Sequence, residues 1–541
     1  RAARLSQALM LRFPAQQIGA FAAILGAFAY SLLAGFPVPT QRAVIMVLPC
    51  MGGPLLGRRI APSTSYCMAL GLVLASNPLS LTGAGFWLSF GAVGTLLLAF
   101  SGVRRVRATV EDEPVDRTWS WRQIWHRWGQ PQWAVFIGMM VPMAVWLQQF
   151  SLLGPVANIL AIPLVSLLVV PLSLCGASLL WVHEATGVFV LVLANELLDL
   201  LMRGLRALTG AGVALWEFFG LTRVAIVFAG LGSLLLLLPR GWPDKWLAAV
   251  LFLPLLFPVR SQLPSGVAEV VLLDVGQGLA MVVGTTNHVL VYDTGPRLSE
   301  TFDTGSAVVY PFLRAQGLRF VDRVIISHGD NDHAGGLLPL LEFVETGQIL
   351  ARASPEFPLS AGQFTPCEAG QAWTWDDVQF TMLHPHRDAA YEGNDSSCVL
   401  RIEAGGQSIL LSGDIERAAE AQLVRDQPEQ LASDVLVAPH HGSRSSSTAA
   451  FVAAVSPTIV LYSAGYRSQF GHPSAEVVQR YEASGAVAYN TALSGALTLR
   501  LGGESALAPP REFRQTQRRY WFARATPESA RLHGVEVQRQ E

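Results

Sequence analysis

Two histidines and two acids fall within six positions in the stretch Ile325-Ile326-Ser327-His328-Gly329-Asp330-Asn331-Asp332-His333-Ala334-Gly335-Gly336. An apolar β-branched run, Val324-Ile325-Ile326, leads into it, and Leu337-Leu338-Pro339-Leu340-Leu341 follows the double glycine. That order reads as strand, turn, helix. Residues two apart on an extended segment point the same way, so His328 and Asp330 can grip one point. Asp332 and His333, on the tightening turn, can grip a second point beside it. Imidazole with carboxylate suits a divalent cation and not a soft one. The alternative is a polar turn with solvated charges. Four ligand-type side chains between a buried strand and two glycines argue against it.

The elements that must hold this stretch lie in a chain of two characters. Of its 541 residues, 51% are hydrophobic and 14% charged, with a formal net charge of −2. Residues 1–260 are strongly apolar, whereas residues 261–541 have the composition of a soluble protein. A membrane domain followed by a globular domain is the expectation. So balanced a charge favours neither nucleic acid nor membrane, and any anion-binding surface is local. Lys245 is the only lysine among the cations, a bias that suits phosphate or reflects genome composition alone. Cys50, Cys67 and Cys175 sit in apolar stretches, and no Cys-x-x-Cys pair occurs. Cys367 and Cys398 could form one disulfide if their domain lies outside the cytosol; otherwise they are small apolar filler. The chain opens Arg1-Ala2-Ala3-Arg4 with no methionine and no signal peptide, as a sequence whose beginning lies upstream would.

Runs near spanning length are expected at Ile18–Phe36, Tyr66–Leu81, Phe86–Phe100, Trp133–Phe150, Leu152–Val182 and Val224–Leu238. The fifth is long enough for two passes or a broken helix. Pro142, Pro155, Pro163 and Pro171 interrupt the middle runs; broken helices suit a water-filled path, or are ordinary kinks. Gly187–Leu208 carries Asn195, Glu196, Asp199, Arg203 and Arg206 at helical spacing. It reads as an amphipathic helix lying on the membrane or turned into a pore. The loop Ser101–Pro131 interleaves six arginines with four tryptophans, which argues for a cytoplasmic, interfacial loop.

Asn77-Pro78, Gly85-Phe86-Trp87-Leu88-Ser89-Phe90, and Gln149-Phe150 through Pro155-Val156-Ala157-Asn158-Ile159-Leu160-Ala161-Ile162-Pro163 resemble the membrane core of the ComEC family. Ala34-Gly35-Phe36 through Gln41-Arg42-Ala43 fits the same pattern. These are the inner-membrane DNA-uptake proteins of natural transformation. The family also has an amino-terminal soluble domain and earlier membrane helices that lie outside this sequence. The resemblance implies a multi-pass protein of the bacterial inner membrane, with single-stranded DNA passing through a polar path. Gln148, Gln149, Asn158 and the polar face of Gly187–Leu208 are its candidate lining. Implied partners are single-stranded DNA, membrane lipid, other proteins of the uptake machinery and, optionally, a second copy in a homo-oligomer.

In the second half, Val270–Gly278 and Val289–Gly295 read as strands ending in an acid and a glycine turn. Strand, strand, helix and then the His/Asp stretch is the order of a metallo-β-lactamase-type hydrolase, a domain the same family carries at its carboxyl end. The expected fold class is a polytopic α-helical membrane domain (1–260), then an α/β, αββα-sandwich metallo-β-lactamase-like domain (261–510), then an Arg/aromatic tail (511–541). Asp274-Val275-Gly276-Gln277-Gly278 resembles the domain's entry motif, but Leu279 stands where the family usually has an acid.

The resemblance implies two divalent cations, manganese or zinc, with magnesium a further option. Asp330 stands where metallo-β-lactamase-type sites commonly have histidine, but the resembled family's own motif commonly has this acid too; it hardens the first site towards manganese or magnesium. Asp414, at the end of Ser408–Gly413, is expected to bridge the cations; otherwise it caps the helix after it. His440 is expected as the last ligand of the second cation and His441 as an outer or substrate-facing group, although the two can be exchanged. No histidine occupies Gly393–Ser397, where the first cation's third ligand is expected. Asn394 or Asp395 stands in there, or nothing does, and His384 is another candidate. His472 is expected near the site as a substrate or proton contact. Metal ligands are thus His328, Asp330, Asp332, His333, Asp414, His440 and Asp395, and catalytic contacts Asp332, His441 and His472.

The implied chemistry is phosphodiester hydrolysis, the cations lowering the pKa of water and binding charged oxygens. The strand degraded would be the one not transported, with the soluble half outside the cytoplasm. Two other classes stay open: a membrane-anchored hydrolase of another substrate, and a channel whose metal domain clamps DNA without cutting. The tail's arginines and aromatics either bind single strands or fray.

Overall fold

The apolar runs of the first half fold into helices, several of which carry a proline within them. The computed structural model describes residues 13–100, 129–210, 215–238, 242–257, 262–352, 359–360, 362–387, 391–503, 506–519 and 522. Contacts divide the chain into two units, Arg1–Val259 and Arg260–Glu541. Most of the arginine-rich loop, and Arg524, Tyr520 and Trp521 of the tail, lie outside the described residues.

In the helical unit, three helices are long and apolar enough to cross a membrane: Ala15–Leu33, Gly154–Leu179 and Glu184–Thr209. Four other expected runs form the shorter helices Pro62–Ser76, Ala84–Phe100, Gln130–Trp146 and Arg223–Leu237. Asn77 ends the first of these because proline at the next position disfavours helical backbone. Its side chain then accepts a hydrogen bond from the Leu79 N–H at 3.1 Å. Gln148 takes a left-handed backbone (φ 52°), and Gln149–Ser151 leaves helix to pair antiparallel with Leu215–Glu217. The run Leu152–Val182 is neither two passes nor a broken helix. It forms the continuous helix Gly154–Leu179, with a π-turn at Val165–Val169 between Pro163 and Pro171. Gly187–Leu208 lies within the 26-residue helix Glu184–Thr209, about 39 Å long. The helices Val38–Leu55 and Leu247–Leu256 were not legible as runs, being interrupted by Arg42 and prolines or too short.

The second unit is the αββα sandwich expected. One sheet has eight strands in the spatial order Thr365–Pro366, Glu345–Ala351, Phe320–Ile326, Val289–Thr294, Ala280–Gly284, Ala268–Leu272, Leu497–Leu501, Arg511–Glu512. The other has seven: Ala372–Trp375, Val378–His384, Val399–Ala404, Gln407–Leu411, Val435–Val437, Ile459–Tyr462, Val487–Asn490. Alternation along each strand assigns its faces. Val270, Leu272, Leu290, Tyr292 and Ile325 point inward against Phe380, Leu400, Ile409 and Val435. Val271, Val291, Val324 and Ile326 point outward onto Leu313, Leu337 and Leu340 of the covering helices. Leu410, Leu436 and Val460 do the same against Leu423, Phe451 and Val477. Each such fully buried side chain contributes roughly 1.5–3 kcal/mol.

Cys367 and Cys398 form a disulfide. Both are fully buried between the sheets, one just past an edge strand of the first sheet and one just before a strand of the second. Residues 511–519, expected within the tail, belong to the fold. Arg511–Glu512 adds an antiparallel edge strand to Leu497–Leu501, and the Arg514 guanidinium sits 2.7 Å from the Asp274 carboxylate.

Candidate metal centre

Parallel pairing puts the chemically active ends of four strands at one end of the sandwich. Val289–Thr294 and Phe320–Ile326 are parallel neighbours in register Tyr292 to Ile325, so Asp293 and Ser327 emerge side by side. The Ser327 N–H and Oγ–H donate to the two Asp293 oxygens at 2.6 and 2.8 Å. His333 follows on the short helix Asn331–Ala334 and is fully buried. In the facing sheet, Gln407–Leu411 and Val435–Val437 are parallel in register Leu411 to Val437. Beyond their ends lie Asp414 and His440-His441. Gly413 makes the approach possible: with φ 55°, a Cβ there would meet Ser327 and Ser397 Cβ at 2.8 Å.

One ligand atom each from Asp332, His333, Asp414 and His441 lies within 4.8 Å of the others. His333 Nε2 is 3.1 Å from Asp414 Oδ1 and 3.9 Å from Asp332 Oδ2. His441 Nε2 is 3.2 Å from Asp332 Oδ2 and 3.5 Å from Asp414 Oδ2. Tetrahedral ligands at about 2.1 Å from a shared cation would stand about 3.4 Å apart, so the spacing fits. His333 Nε2 and His328 Nε2 are buried with no well-oriented hydrogen bond, facing only the Asp414 and Asp330 carboxylates, an arrangement a cation would complete. Burial alone would lower the His333 pKa, but the Asp414 and Asp293 carboxylates outweigh it and hold it well above the ordinary imidazole value. Burial opposes ionisation of Asp414 and Asp332, yet the neighbouring imidazoles hold both below the usual carboxylate range. The proton that His333 holds is what a cation would displace.

Sequence spacing missed Asp293. It is fully buried, has a left-handed backbone (φ 59°), and lies 2.7 Å from His333 Nδ1. That contact fixes which ring nitrogen faces the cluster and raises its basicity. The signal was present, a strand ending in Asp293-Thr294-Gly295, but nothing in it pointed to His333. Asp293→Asn should lower metal affinity about 10–100-fold, measured by metal titration of the full chain. Unchanged affinity would remove Asp293 from the site.

The other expected residues fall in distinct places. His328 lies beside His333, ring centroids 4.3 Å apart, with Nε2 3.5 Å from Asp330 Oδ2. Of the two exchangeable histidines, His440 stands outside the four-residue cluster and His441 inside it. His440 Nδ1 faces Glu416 Oε1 at 3.1 Å and Ser445 Oγ at 3.2 Å, while its Nε2 is 3.8 Å from Asp414. Both histidines have left-handed backbones, φ 48° and 55°, costing about 1–3 kcal/mol each; the second is the one that turns inward. Asp395 also lies outside the four-residue cluster. Its Oδ1 accepts from the N–H groups of Glu416 and Ala419 at 2.8 and 3.2 Å, so it caps the helix Arg417–Asp426. Asn394 bonds Glu416 at 3.3 Å. The small residue Ser397 stands behind His328, its Oγ 3.4 Å from Nδ1, and accepts from the Asp414 N–H at 3.1 Å. Leu279 is buried core, and its N–H donates to the Asp332 carbonyl at 3.1 Å. His472 sits at the rim, its ring 5.8 Å from that of His440. In the helical unit, Gln148 and Gln149 are half-buried and Asn158 is exposed.

His384 is no part of the cluster. Its Nδ1 is 2.9 Å from the Ser397 carbonyl oxygen, and its buried Nε2 faces no acceptor. A second proton would be a buried charge, and burial pushes the pKa down to about 4. The unfolded chain, near 6.5, therefore takes up that proton first. The contribution to stability is whole above about pH 6.5 and falls by roughly 3 kcal/mol towards pH 4. Thermal unfolding of the full chain near neutrality and near pH 4 should show less acid sensitivity in His384→Phe than in the natural sequence. Equal sensitivity would refute the assignment.

Residues 2–241 match a family described as Competence protein, and residues 273–466 match the Metallo-beta-lactamase superfamily. The chain is 34% identical over 478 residues to Competence protein ComA of Neisseria gonorrhoeae, covering 88% of this chain and 64% of the relative. It is 28% identical over 503 residues to Recombination protein 2 of Haemophilus influenzae, covering 87% and 62%. With ComE operon protein 3 of Bacillus subtilis the identity is 27% over 488 residues, covering 83% and 59%. The chain thus spans less than two thirds of the length of these curated relatives.

Proposed function

Because the chain belongs to the competence protein family and carries a metallo-beta-lactamase superfamily domain, we propose that it serves DNA uptake in natural transformation. In this reading it is a multi-pass inner-membrane channel for one strand, and its soluble domain (261–510) hydrolyses the strand not transported. The observation that carries the hydrolase assignment is the convergence of Asp332, His333, Asp414 and His441.

Two divalent cations are proposed: His328 and Asp330 would help hold the first, and Asp332, His333, Asp414 and His441 would hold the second. Bound there, they would stabilise charge on the phosphate oxygens and lower the pKa of water. Hydrolysis exchanges the ester P–O bond for one to the water oxygen, and a proton of the water passes to the leaving sugar oxygen. The chain's own part is positional. Asp293 and Ser327 orient His333, and Asp332 is tied to His441 at 3.2 Å. His472, its pKa lowered to about 4 by burial and then by His441 and His440, offers a neutral imidazole at the rim.

The buried Cys367–Cys398 disulfide supports a soluble unit outside the cytoplasm, since disulfides persist in oxidising compartments. A phosphatase reporter fused after Gln262 should then be active on the outer side; activity confined to a cytoplasmic reporter would reverse the orientation. Gln148, Gln149 and Asn158 remain the proposed channel lining. Asn158→Leu should reduce transformation without changing cutting, and unchanged uptake would sink its pore role. The full chain in detergent micelles should cut single-stranded DNA with manganese, but not with chelator or as Asp332→Ala. Tight DNA binding with no cutting under any divalent cation would make the domain a clamp instead.

A further inference from the structure

The segment Ala464–Pro473 is anchored at both ends to the turns that carry the metal cluster. At its start, the Ser463 hydroxyl donates to the Gly278 carbonyl, and Gln277 Oε1 accepts from Ser468 Oγ at 2.9 Å. Gly278 in turn lies against Asp332: with φ 132°, a Cβ there would stand 2.5 Å from the Asp332 carbonyl oxygen. At its end, Pro473 packs on Gly442, where an added Cβ would be 2.7 Å from the proline ring, and the Ser474 N–H donates to the Gly442 carbonyl at 2.9 Å. Gly442 directly follows His440-His441. The segment therefore bridges the two ligand-bearing turns and forms a rim beside the cluster.

What this rim exposes is aromatic and cationic. Tyr466 is 49% and Phe470 61% exposed, and the Arg467 guanidinium lies 5.5 Å from the Tyr466 ring centroid. Phe470 stacks on His472 at 6.0 Å with 16° between ring planes, and His472 lies 5.8 Å from His440. A row of rings thus leads from the solvent-facing tip towards the cluster. Burial does not account for these rings, because about half or more of each is open to water, where a polar residue would cost little.

We infer that this rim is a stacking platform for the unpaired bases of a single-stranded nucleic acid, held by Tyr466 and Phe470 with Arg467 on the phosphate backbone. The inference rests on the phosphodiester reading of the site. Exposed rings with a cation accept any base through its π-face but cannot reach bases already stacked and paired in a duplex. The platform therefore selects single strands without selecting sequence. Lipid insertion of the same rings is the competing use, and the adjacency to the metal cluster favours the strand.

The test uses the full chain in detergent micelles with chelator present, so that binding is read without turnover. Fluorescence anisotropy compares oligothymidylate with an abasic deoxyribose-phosphate oligomer of the same length. The double variant Tyr466→Ala, Phe470→Ala should bind oligothymidylate about tenfold or more weakly and the abasic oligomer unchanged. Tyr466→Phe with Phe470→Tyr, which keeps both rings, should bind as the natural sequence does. Equal loss on both oligomers, or no loss, overturns the proposal. So does loss of binding to phosphatidylglycerol vesicles with DNA binding intact. Base-dependent binding without any cleavage would leave this inference standing and sink the hydrolase reading; cleavage without base dependence would do the reverse.

Discussion

Asp414→Asn should empty the cluster of metal and reduce hydrolysis on the order of 10³-fold, the equivalent of about 4 kcal/mol of transition-state stabilisation. Both carboxylate oxygens are committed. Oδ1 faces His333 at 3.1 Å, and Oδ2 faces His441 at 3.5 Å and His440 at 3.8 Å. An amide keeps the shape but removes the charge, and it offers one oxygen where two are used. Its NH₂ would also point at nitrogens that must themselves bind a cation. Metal content of the purified full chain and its cleavage rate are the readouts. A variant that keeps stoichiometric metal and its rate would mean that the two sheets do not share a cation through this residue.

The second large effect separates two adjacent residues. His441→Ala should lower metal affinity on the order of 100-fold or more, because it deletes one of the four converging ligand atoms. His440→Ala should cost less than about tenfold, since its Nδ1 is engaged by Glu416 and Ser445 and it acts on the cluster from outside. Isothermal titration of each variant with manganese and with zinc measures both. Equal losses, or the reverse order, would show that the left-handed turn does not turn His441 inward and His440 outward.

Much of the scaffold was written in local pattern. Period-2 alternation along Val270–Leu273, Val289–Tyr292 and Val324–Ile326 assigns inner and outer faces, because a strand's side chains must alternate whatever surrounds them. Acids and histidines placed just past such strands, at glycine turns, are ligand candidates for the same local reason. Helix lengths in the first unit followed the apolar runs to within a few residues, even across Pro142, Pro163 and Pro171. Hydropathy counts apolar residues, whereas Asn77-Pro78 and Gln148 end helices through backbone geometry.

The sequence by itself determined the strand ends, the kinds of ligand they carry and the two families its halves match. Tertiary structure alone decided which candidates meet. His441 turns inward instead of His440, Asp395 caps a helix instead of reaching the cluster, and Asp293 meets His333 forty positions away. It also joined Cys367 to Cys398 across the core and docked Arg511–Glu512 on a sheet edge. The reason is that backbone period is fixed by near neighbours, whereas the direction of a side chain on a turn, and the partner it finds, depend on what the opposite sheet places against it.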